Sequence, residues 1–190
     1  MGQFKSKEVE KEAVRMAAAL MAASARTAPK AMGLDAVKTM VIDGDDIELL
    51  AGAMEAKAEE QPPHLTSIFP RDAGNVRKSS CVLLIGVSGN PKKIEKPLDC
   101  GACGHETCRQ LLSAERKQGK DFGGPNCIMQ VIDLGIALGS AVKLASELNI
   151  DNRIMYTIGA TAKKLGLLDS DIIIGVPLSA TGKSVYFDRQ

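Results

Sequence analysis

The sequence predicts a mixed α+β fold with a small cysteine-rich insertion, and three observations carry this prediction. Segments whose apolar residues recur every three or four positions alternate irregularly with short runs of β-branched residues. At 190 residues the chain is long enough to bury one sizeable core. Three of its five cysteines lie within positions 100–108, between glycines. We therefore expect one domain that is interrupted by a short segment with its own chemistry.

The first third of the chain predicts two helices with a strand between them. Residues 6–26 have the apolar spacing of an amphipathic helix, which should end near Pro29. Residues 37–42 are rich in β-branched side chains and predict a strand, followed by a turn and a helix over about 45–59. The prolines within 61–64 should end that helix.

The middle of the chain is predicted to contain a loop, a strand and a linker. The segment F-P-R-D-A-G-N at 69–75 is typical of a loop, and C-V-L-L-I-G-V at 81–87 is typical of a buried strand. A polar, proline-bounded linker at 88–97 leads into the cysteine region, in which residues 107–118 have helical composition.

The last third predicts a central helix and further strands. Residues 128–148 are apolar almost all round, so we expect this helix in the middle of the fold. Strands at 153–158 and 171–178 should flank a short helix at 160–168, and residues 183–188 predict an edge strand. Asp133 lies on the central helix, where we expect it either to cap a neighbouring strand or to bind a partner group.

Composition excludes several classes of protein. Lys and Arg total 24 against 23 Asp and Glu, without a run of like charges, so nothing predicts a nucleic-acid partner. The apolar runs are too short, or too broken by polar residues, to cross a bilayer, and residues 1–12 carry acids where a signal peptide needs apolar residues. We expect a cytoplasmic protein that binds neither nucleic acid nor membrane.

Four of the five cysteines have a spacing that suits a metal cluster. They follow the pattern C-x2-C-x4-C-x18-C and are Cys100, Cys103, Cys108 and Cys127. A 4Fe-4S cluster needs four thiolates, and here three lie in one short loop while the fourth returns from another element. Gly101 and Gly104 each follow a ligand, where the chain must turn sharply and admit backbone N–H groups to the cluster. We therefore predict an iron-sulfur insertion over 96–127.

Two alternatives remain for these thiols, a structural zinc site and unligated cysteines. Four cysteines suit Zn²⁺, although zinc ribbons usually contain a second C-x2-C pair, which this chain lacks. Cys81 lies within a predicted strand and is expected to be a buried small hydrophobe. His105 is interpreted either as an exposed residue at a helix start or as a hydrogen-bond donor to the cluster.

The segment D-C-G-A-C-G-H-E-T-C, with its distant fourth cysteine, resembles the iron-sulfur domains of membrane electron-transport complexes and corrinoid iron-sulfur proteins. In those domains proline often follows the fourth cysteine, whereas here Pro125 precedes Cys127. The chain as a whole resembles a family of uncharacterised microbial proteins that contain a ferredoxin domain. That resemblance is carried by the cysteine segment and by the stretches 25–35, 69–76, 133–143, 151–159 and 175–183.

The order of the segments is also similar to the nitroreductase family, whose members are α+β homodimers that bind FMN between subunits. That resemblance implies a nitroreductase-like body over 1–95 and 126–190, and a homodimer. Candidate contacts to the FMN phosphate are Arg26, Lys30 and Lys183, and Gly175 would give the backbone room. Alternatively, Arg26 and Lys30 neutralise the carboxyl end of the first helix. The N-terminal twin-basic segment of typical nitroreductases is absent.

These features predict an iron-sulfur redox protein. It would be an oxidoreductase that passes electrons between a ferredoxin-like redox partner and an unknown substrate, through FMN if a flavin binds. The alternative is a non-enzymatic electron carrier or scaffold with a single 4Fe-4S cluster. An iron-sulfur sensor is a third hypothesis, but it should carry a basic DNA-binding helix, and none is evident. The sequence contains no recognisable triad, acid pair or His cluster, so whether the protein is an enzyme stays open.

Overall fold

The computed structural model describes residues 3–187, in which one four-stranded antiparallel sheet has helices on both faces. The strand order is β1-β2-β6-β5, and a separate two-stranded hairpin is formed by β3 and β4. The strands are β1 (Lys38–Asp43), β2 (Cys81–Val87), β3 (Lys117–Gln118), β4 (Gly123–Gly124), β5 (Asp151–Asn152) and β6 (Ile172–Ser179). The α-helices are α1 (Ser6–Thr27), α2 (Asp46–Lys57), α3 (Ile68–Arg77), α4 (Cys108–Ser113), α5 (Ile128–Glu147) and α6 (Tyr156–Lys164).

Strand β2 divides the core into two parts. All seven of its residues are buried, and successive side chains point to opposite faces. Leu83 and Ile85 pack with α1 and α5, whereas Val82 and Leu84 pack with α2, α3 and α6. A continuous apolar run therefore forms a strand that is covered on both sides, as predicted for 81–87.

The structure corrects the predicted loop at 69–75, which lies within α3. Phe69, Ala73 and Val76 are all fully buried, and their spacing places them on one helical face. Pro70 does not prevent the helix because it occupies the first turn, where a backbone N–H has no intrahelical partner. The proline and the glycine in this segment therefore mimic a loop signal.

The predicted strand at 153–158 is also wrong. Only Met155 forms an isolated bridge, to Gly175, and α6 already begins at Tyr156. The helix predicted for 107–118 is shorter than expected, because α4 ends at Ser113 and Lys117–Gln118 belongs to the hairpin. Residues 183–187 form a bend and a turn rather than an edge strand, and position 188 lies outside the described residues.

The sequence predicted that α5 lies in the middle of the fold, but the helix is buried on one face only. One face packs against α1 and the sheet, but Ile132 and Ile136 on the outer face are 46% and 41% exposed. By length and composition alone, α5 is apolar enough to cross a membrane. Its inner face packs against α1 and the sheet.

Candidate metal centre

The linker that precedes the cysteines is held against the first two turns of α5. The backbone N–H of Cys127 donates to the carbonyl oxygen of Gly89 at 2.7 Å. One turn further on, the side-chain amide of Gln130 donates to the carbonyl oxygen of Asn90 at 3.0 Å. These bonds place the fourth cysteine beside the point where the chain leaves β2.

Three of the four predicted ligands line one small cavity, which we call the cysteine cavity. Its thiols belong to Cys100, Cys108 and Cys127. The other lining residues are Ala31, Met32, Pro91, Lys92, Leu98 and Met129. Cys127 is buried, Cys103 and Cys108 are half-buried, and Cys100 is exposed. Exposure therefore differs among the four cysteines and is greatest at Cys100.

The structure does not bring all four thiols together. Cys103 is not among the cavity residues. Over residues 3–187, no three His, Cys, Asp or Glu side chains are gathered closely enough to hold a metal ion. Convergence of four thiolates on one cluster therefore stays a prediction from the spacing.

The backbone of the cysteine loop fits a cluster. Gly101 and Gly104 have φ of 72° and 86°, in the left-handed region that favours glycine, as their positions after ligands predicted. A Cβ at Gly104 would meet nothing within 4 Å, so the space beside this turn is open. Soft thiolate donors, a common cavity and an open glycine turn are together suited to an iron-sulfur cluster.

Asp99 closes the cysteine loop, a role that the sequence reasoning missed. Its carboxylate accepts the backbone N–H of Cys108 at 2.6 Å, across nine positions. Asp99 itself has a φ of 46°, which Asp tolerates better than most residues. The available signal was an Asp placed directly before the first ligand of a tight loop. Burial, together with the nearby Asp99 carboxylate, raises the pKa of the Cys108 thiol.

Cys81 is separated from the cavity by the length of β2, because it lies at the strand's opposite end. It is fully buried between the α1 face and the sheet. Burial raises the pKa of its thiol to about 12, so it stays protonated and acts as a small hydrophobe. The prediction for Cys81 is confirmed. His105 is half-buried beside the hairpin, in a second cavity that it shares with Phe122.

An ion-pair network, which we call the hairpin anchor, attaches the β3–β4 hairpin to the body. The ammonium of Lys57 lies 2.8 Å from the carboxylate of Asp121, and the Lys57 side chain is only 1% exposed. The hydroxyl of Tyr156 donates to the same carboxylate. Glu60 lies 3.3 Å from the Lys57 ammonium. Nothing in the sequence pairs residues so far apart, so this anchor was not predicted.

The hairpin anchor changes the protonation behaviour of its members. Burial alone would raise the pKa of Asp121, but hydrogen bonds from Lys57 and Tyr156 outweigh it and lower this pKa. Burial likewise acts to lower the pKa of Lys57, and its bonds to Asp121 and Glu60 reverse the sign. The anchor is therefore charged at neutral pH.

Asp133 and Lys92 form a second buried pair beneath the cysteine cavity. Their side chains are 2% and 7% exposed, and the Lys92 ammonium contacts the Asp133 carboxylate. The other carboxylate oxygen of Asp133 accepts the backbone N–H of Ala31 at 2.9 Å. Asp133 therefore bonds to the linker and to the 3-10 turn Ala31–Gly33. It does not cap a neighbouring strand, which was one of the two roles predicted for it.

The candidate FMN contacts have other partners within this chain. Lys30 donates to the carbonyl oxygens of Ala28 at 2.8 Å and of Ala25 at 3.4 Å, which is the expected role of a cation at a helix carboxyl end. Arg26 pairs with Asp35 and donates to the carbonyl oxygen of Val37 at 2.9 Å.

Arg26 and Lys30 lie close to each other beside Asp35, whereas Lys183 lies toward the opposite end of α1. Lys183 follows β6, close to loop residues that face the amino-terminal half of α1. Arg26 lies at the other end of α1, whose 22 residues span about 33 Å. Gly175 is explained by packing, because a Cβ there would lie 2.0 Å from a side-chain carbon of Ile158. A flavin site built from these residues therefore stays a prediction.

Comparison with known proteins agrees with this architecture. Two solved structures align over most of the chain, at sequence identities that indicate a shared fold alone. A nitroreductase with bound FMN from Desulfitobacterium hafniense has a TM-score of 0.56 at 13% identity, over 96% of this chain and 82% of that one. A nitroreductase in complex with FMN from Desulfovibrio desulfuricans has a TM-score of 0.54 at 13% identity, over 92% and 78%.

Sequence comparison is more specific. Residues 123–189 match the family described as uncharacterised proteins containing a ferredoxin domain (DUF2148). A protein of Archaeoglobus fulgidus is 51% identical over 183 residues, which cover 96% of this chain and 95% of the relative. The chain therefore belongs to this ferredoxin-domain family, and its body has a nitroreductase-like fold.

Proposed function

We propose that the protein is an iron-sulfur redox protein whose 4Fe-4S cluster is held by Cys100, Cys103, Cys108 and Cys127. The observation that carries this proposal is the cysteine cavity, which is lined by Cys100, Cys108 and Cys127 and adjoins a loop whose Gly101 and Gly104 have positive φ. Membership of a ferredoxin-domain family supports a redox role. A bound cluster would supply one-electron chemistry.

The residues around the cavity suit electron exchange with a redox protein partner. Cys100 is exposed, and the neighbouring cavity residues Met32 and Leu98 are 43% and 50% exposed. A cluster held there would lie close to the surface, with apolar side chains available for a transient contact. Asp99 and the two glycine turns would keep the loop closed around the cluster.

For the wider activity we propose an oxidoreductase-type role, with two versions that differ in whether FMN binds. The nitroreductase-like fold supports the flavin version, since neighbours in that fold bind FMN. The contacts of Lys30 with three backbone carbonyls favour the other version, a single-cluster electron carrier. In that version the body is a scaffold that presents the cluster to its partners.

We also propose a homodimer formed through the outer faces of α1 and α5. Four apolar residues on these faces are exposed: Met16, Leu20, Ile132 and Ile136. The exposed glycines of α5, Gly135 and Gly139, have no atom within 4 Å of an added Cβ, so a partner backbone could approach closely.

We further propose a cytoplasmic location, because free thiols in a cluster-binding loop favour a reducing compartment.

Anaerobic purification with iron and acid-labile sulfide analysis tests the cluster. We expect about four irons and four sulfides per chain, with broad absorbance near 400 nm. Cys127→Ser should lose most of the iron, whereas Cys81→Ser is the matched control and should keep it. Zinc without iron or sulfide in the wild-type protein would contradict the proposal.

Titration of the cluster-loaded protein with FMN separates the two versions of the function. Saturable binding with quenching of flavin fluorescence, weakened by Lys183→Gln, would support the flavin-dependent oxidoreductase. Retention of the cluster without any flavin binding would support the electron carrier.

A further inference from the structure

We propose that Lys92 and Asp133 act as a pair of positioning residues that set the reduction potential of the cluster from beneath the cysteine cavity. This inference rests on the proposed function, because it assigns these two residues a role toward the cluster at Cys100, Cys103, Cys108 and Cys127. Neither residue belongs to the cysteine motif.

The contacts of the pair place it between the cavity and the body. Lys92 lines the cavity, and its ammonium contacts the Asp133 carboxylate and the carbonyl oxygens of Ala31, at 3.4 Å, and Leu34. Asp133 in turn accepts the N–H of Ala31, another cavity residue. One carboxylate therefore holds two parts of the cavity wall.

The location of Asp133 connects the pair directly to a predicted ligand. Cys127 is the residue that precedes α5, and its backbone N–H donates a hydrogen bond to the carbonyl oxygen of Gly89. The side chain of Gln130 donates to the carbonyl oxygen of Asn90, and the carboxylate of Asp133 accepts from the Lys92 ammonium. The linker over 89–92 is thus held by Cys127 and by the α5 residues Gln130 and Asp133, so a disturbed pair would also move the cavity wall next to Cys127.

Burial makes a purely stabilising role a poor explanation for this pair. Removing two charges from water costs several kcal/mol per ion in typical proteins, and apolar replacements are often as stable. Here both side chains are more than nine-tenths buried. A buried cation at the cavity wall, with its own counter-ion behind it, has an electrostatic use if the cavity holds a negatively charged cluster.

The electrostatic argument predicts opposite signs for the two residues. Reduction adds one negative charge to a cluster that four thiolates already make anionic. The Lys92 cation stabilises the reduced state and raises the potential, whereas the Asp133 carboxylate destabilises the reduced state and lowers it. A merely structural pair would give the same kind of loss whichever partner was removed.

The experiment measures the midpoint potential of the anaerobic, cluster-loaded full chain by redox titration. We expect Lys92→Met to shift the potential to more negative values and Asp133→Asn to shift it to more positive values. Lys92→Arg, which keeps the charge, should stay near wild type. The double variant Lys92→Met/Asp133→Asn should return toward the wild-type potential, since it removes both charges together.

The control is an exposed ion pair between Lys143 and Glu147, which lie on α5 like Asp133. Lys143→Met and Glu147→Gln should leave the potential unchanged. If Lys92→Met does not retain its cluster, the sign of the shift in Asp133→Asn decides, with iron content measured alongside. Equal potentials in wild type and in cluster-loaded Asp133→Asn, or shifts of the same sign in both single variants, would overturn this inference alone. Absence of iron and sulfide from the wild type would instead overturn the proposed function.

Discussion

Gly159 lies on α6 where that helix touches the backbone of β6. A Cβ at this position would lie 1.8 Å from the carbonyl oxygen of Ile173 and 2.5 Å from its carbonyl carbon. Backbone atoms in a central strand cannot move aside as a flexible side chain can. The absence of a side chain at Gly159 therefore sets how closely α6 approaches the sheet. Gly175 on β6 allows the same approach, since a Cβ there would lie 2.0 Å from a side-chain carbon of Ile158 on α6.

This close approach predicts an unequal effect of two Gly→Ala substitutions. Gly159→Ala should lower the free energy of unfolding by about 3 kcal/mol or more, because it overpacks a rigid backbone contact. Gly74→Ala on α3, where an added Cβ meets nothing within 4 Å, should instead raise it by up to about 1 kcal/mol. Urea unfolding of both variants checks the difference, and similar values for the two would refute it.

At the same scale, the residues of the cysteine loop divide into those that the sequence could identify and those that it could not. The ligand candidates follow from spacing, and the positive φ of Gly101 follows from its place after a ligand. The role of Asp99 depends on a bond to Cys108 that forms only when the loop closes. Lys30 could be assigned two roles from sequence, and its three carbonyl contacts are those expected of a cation at a helix carboxyl end.

At the scale of elements, the hairpin anchor is the clearest long-range feature of the fold. The β3–β4 hairpin has two residues in each strand and cannot be stable alone. Its attachment depends on Asp121, which reaches Lys57 at the end of α2 and Tyr156 at the start of α6. The hairpin joins α4 to Cys127, so the anchor also limits how far the cysteine region can move.

The anchor predicts a pH-dependent stability. Because the folded pKa of Asp121 lies below its unfolded value of about 3.9, its contribution is complete above that pH and is lost as the pH falls through the folded pKa. Asp121→Asn should lower the free energy of unfolding by about 2 kcal/mol at neutral pH. The difference from wild type should be constant above about pH 5 and shrink below about pH 4.

Urea unfolding across this pH range checks the prediction. Asp169→Asn is the matched control, since the pKa of Asp169 is also lowered, by Lys38, but its side chain is 98% exposed. That variant should differ little from wild type at every pH. An Asp121→Asn difference that is as large at pH 3 as at pH 7 would contradict the anchor's charge-based role.

The errors of sequence interpretation at this scale share one cause. Helix α3 contains Pro70 and Gly74, and α6 begins within a run of apolar residues that resembles a strand. In both cases the local residue preferences disagree with the final element, and burial against the sheet decides. The long elements α1, α2, α5, β2 and β6 were predicted because their patterns extend over enough residues to outweigh single exceptions.

At the scale of the whole molecule, one sheet separates two cores and leaves the outer faces of α1 and α5 open. Packing between these helices includes a hydrogen bond of 2.8 Å between the hydroxyls of Ser24 and Ser140. Beyond that contact, Met16 and Leu20 of α1 and Ile132 and Ile136 of α5 are exposed apolar residues. In the proposed homodimer, a second copy of the chain would bury these residues.

The proposed dimer predicts different results for two Glu substitutions at exposed apolar positions. Ile136→Glu, on the outer face of α5, should convert the protein from dimer to monomer, because a charge would be buried without a partner. Leu49→Glu, on α2, changes a side chain that is 69% exposed on the other side of the sheet and should leave the dimer intact. Light scattering after size-exclusion chromatography measures the mass. A wild-type monomer, or dissociation by both substitutions, would rule out this interface.

The sequence by itself determined the α+β class, the buried central strand, the long helices and the cysteine spacing that predicts a cluster. Apart from the distant fourth cysteine, these features depend on residues within a few positions of one another, where backbone geometry alone sets which side chains share a face. Only the tertiary structure decided that Asp133 meets Lys92 across 41 positions, and that Lys57 meets Asp121. Such pairs form because packing of helices on the sheet brings distant charges into a site that water does not reach, and no local pattern encodes that approach.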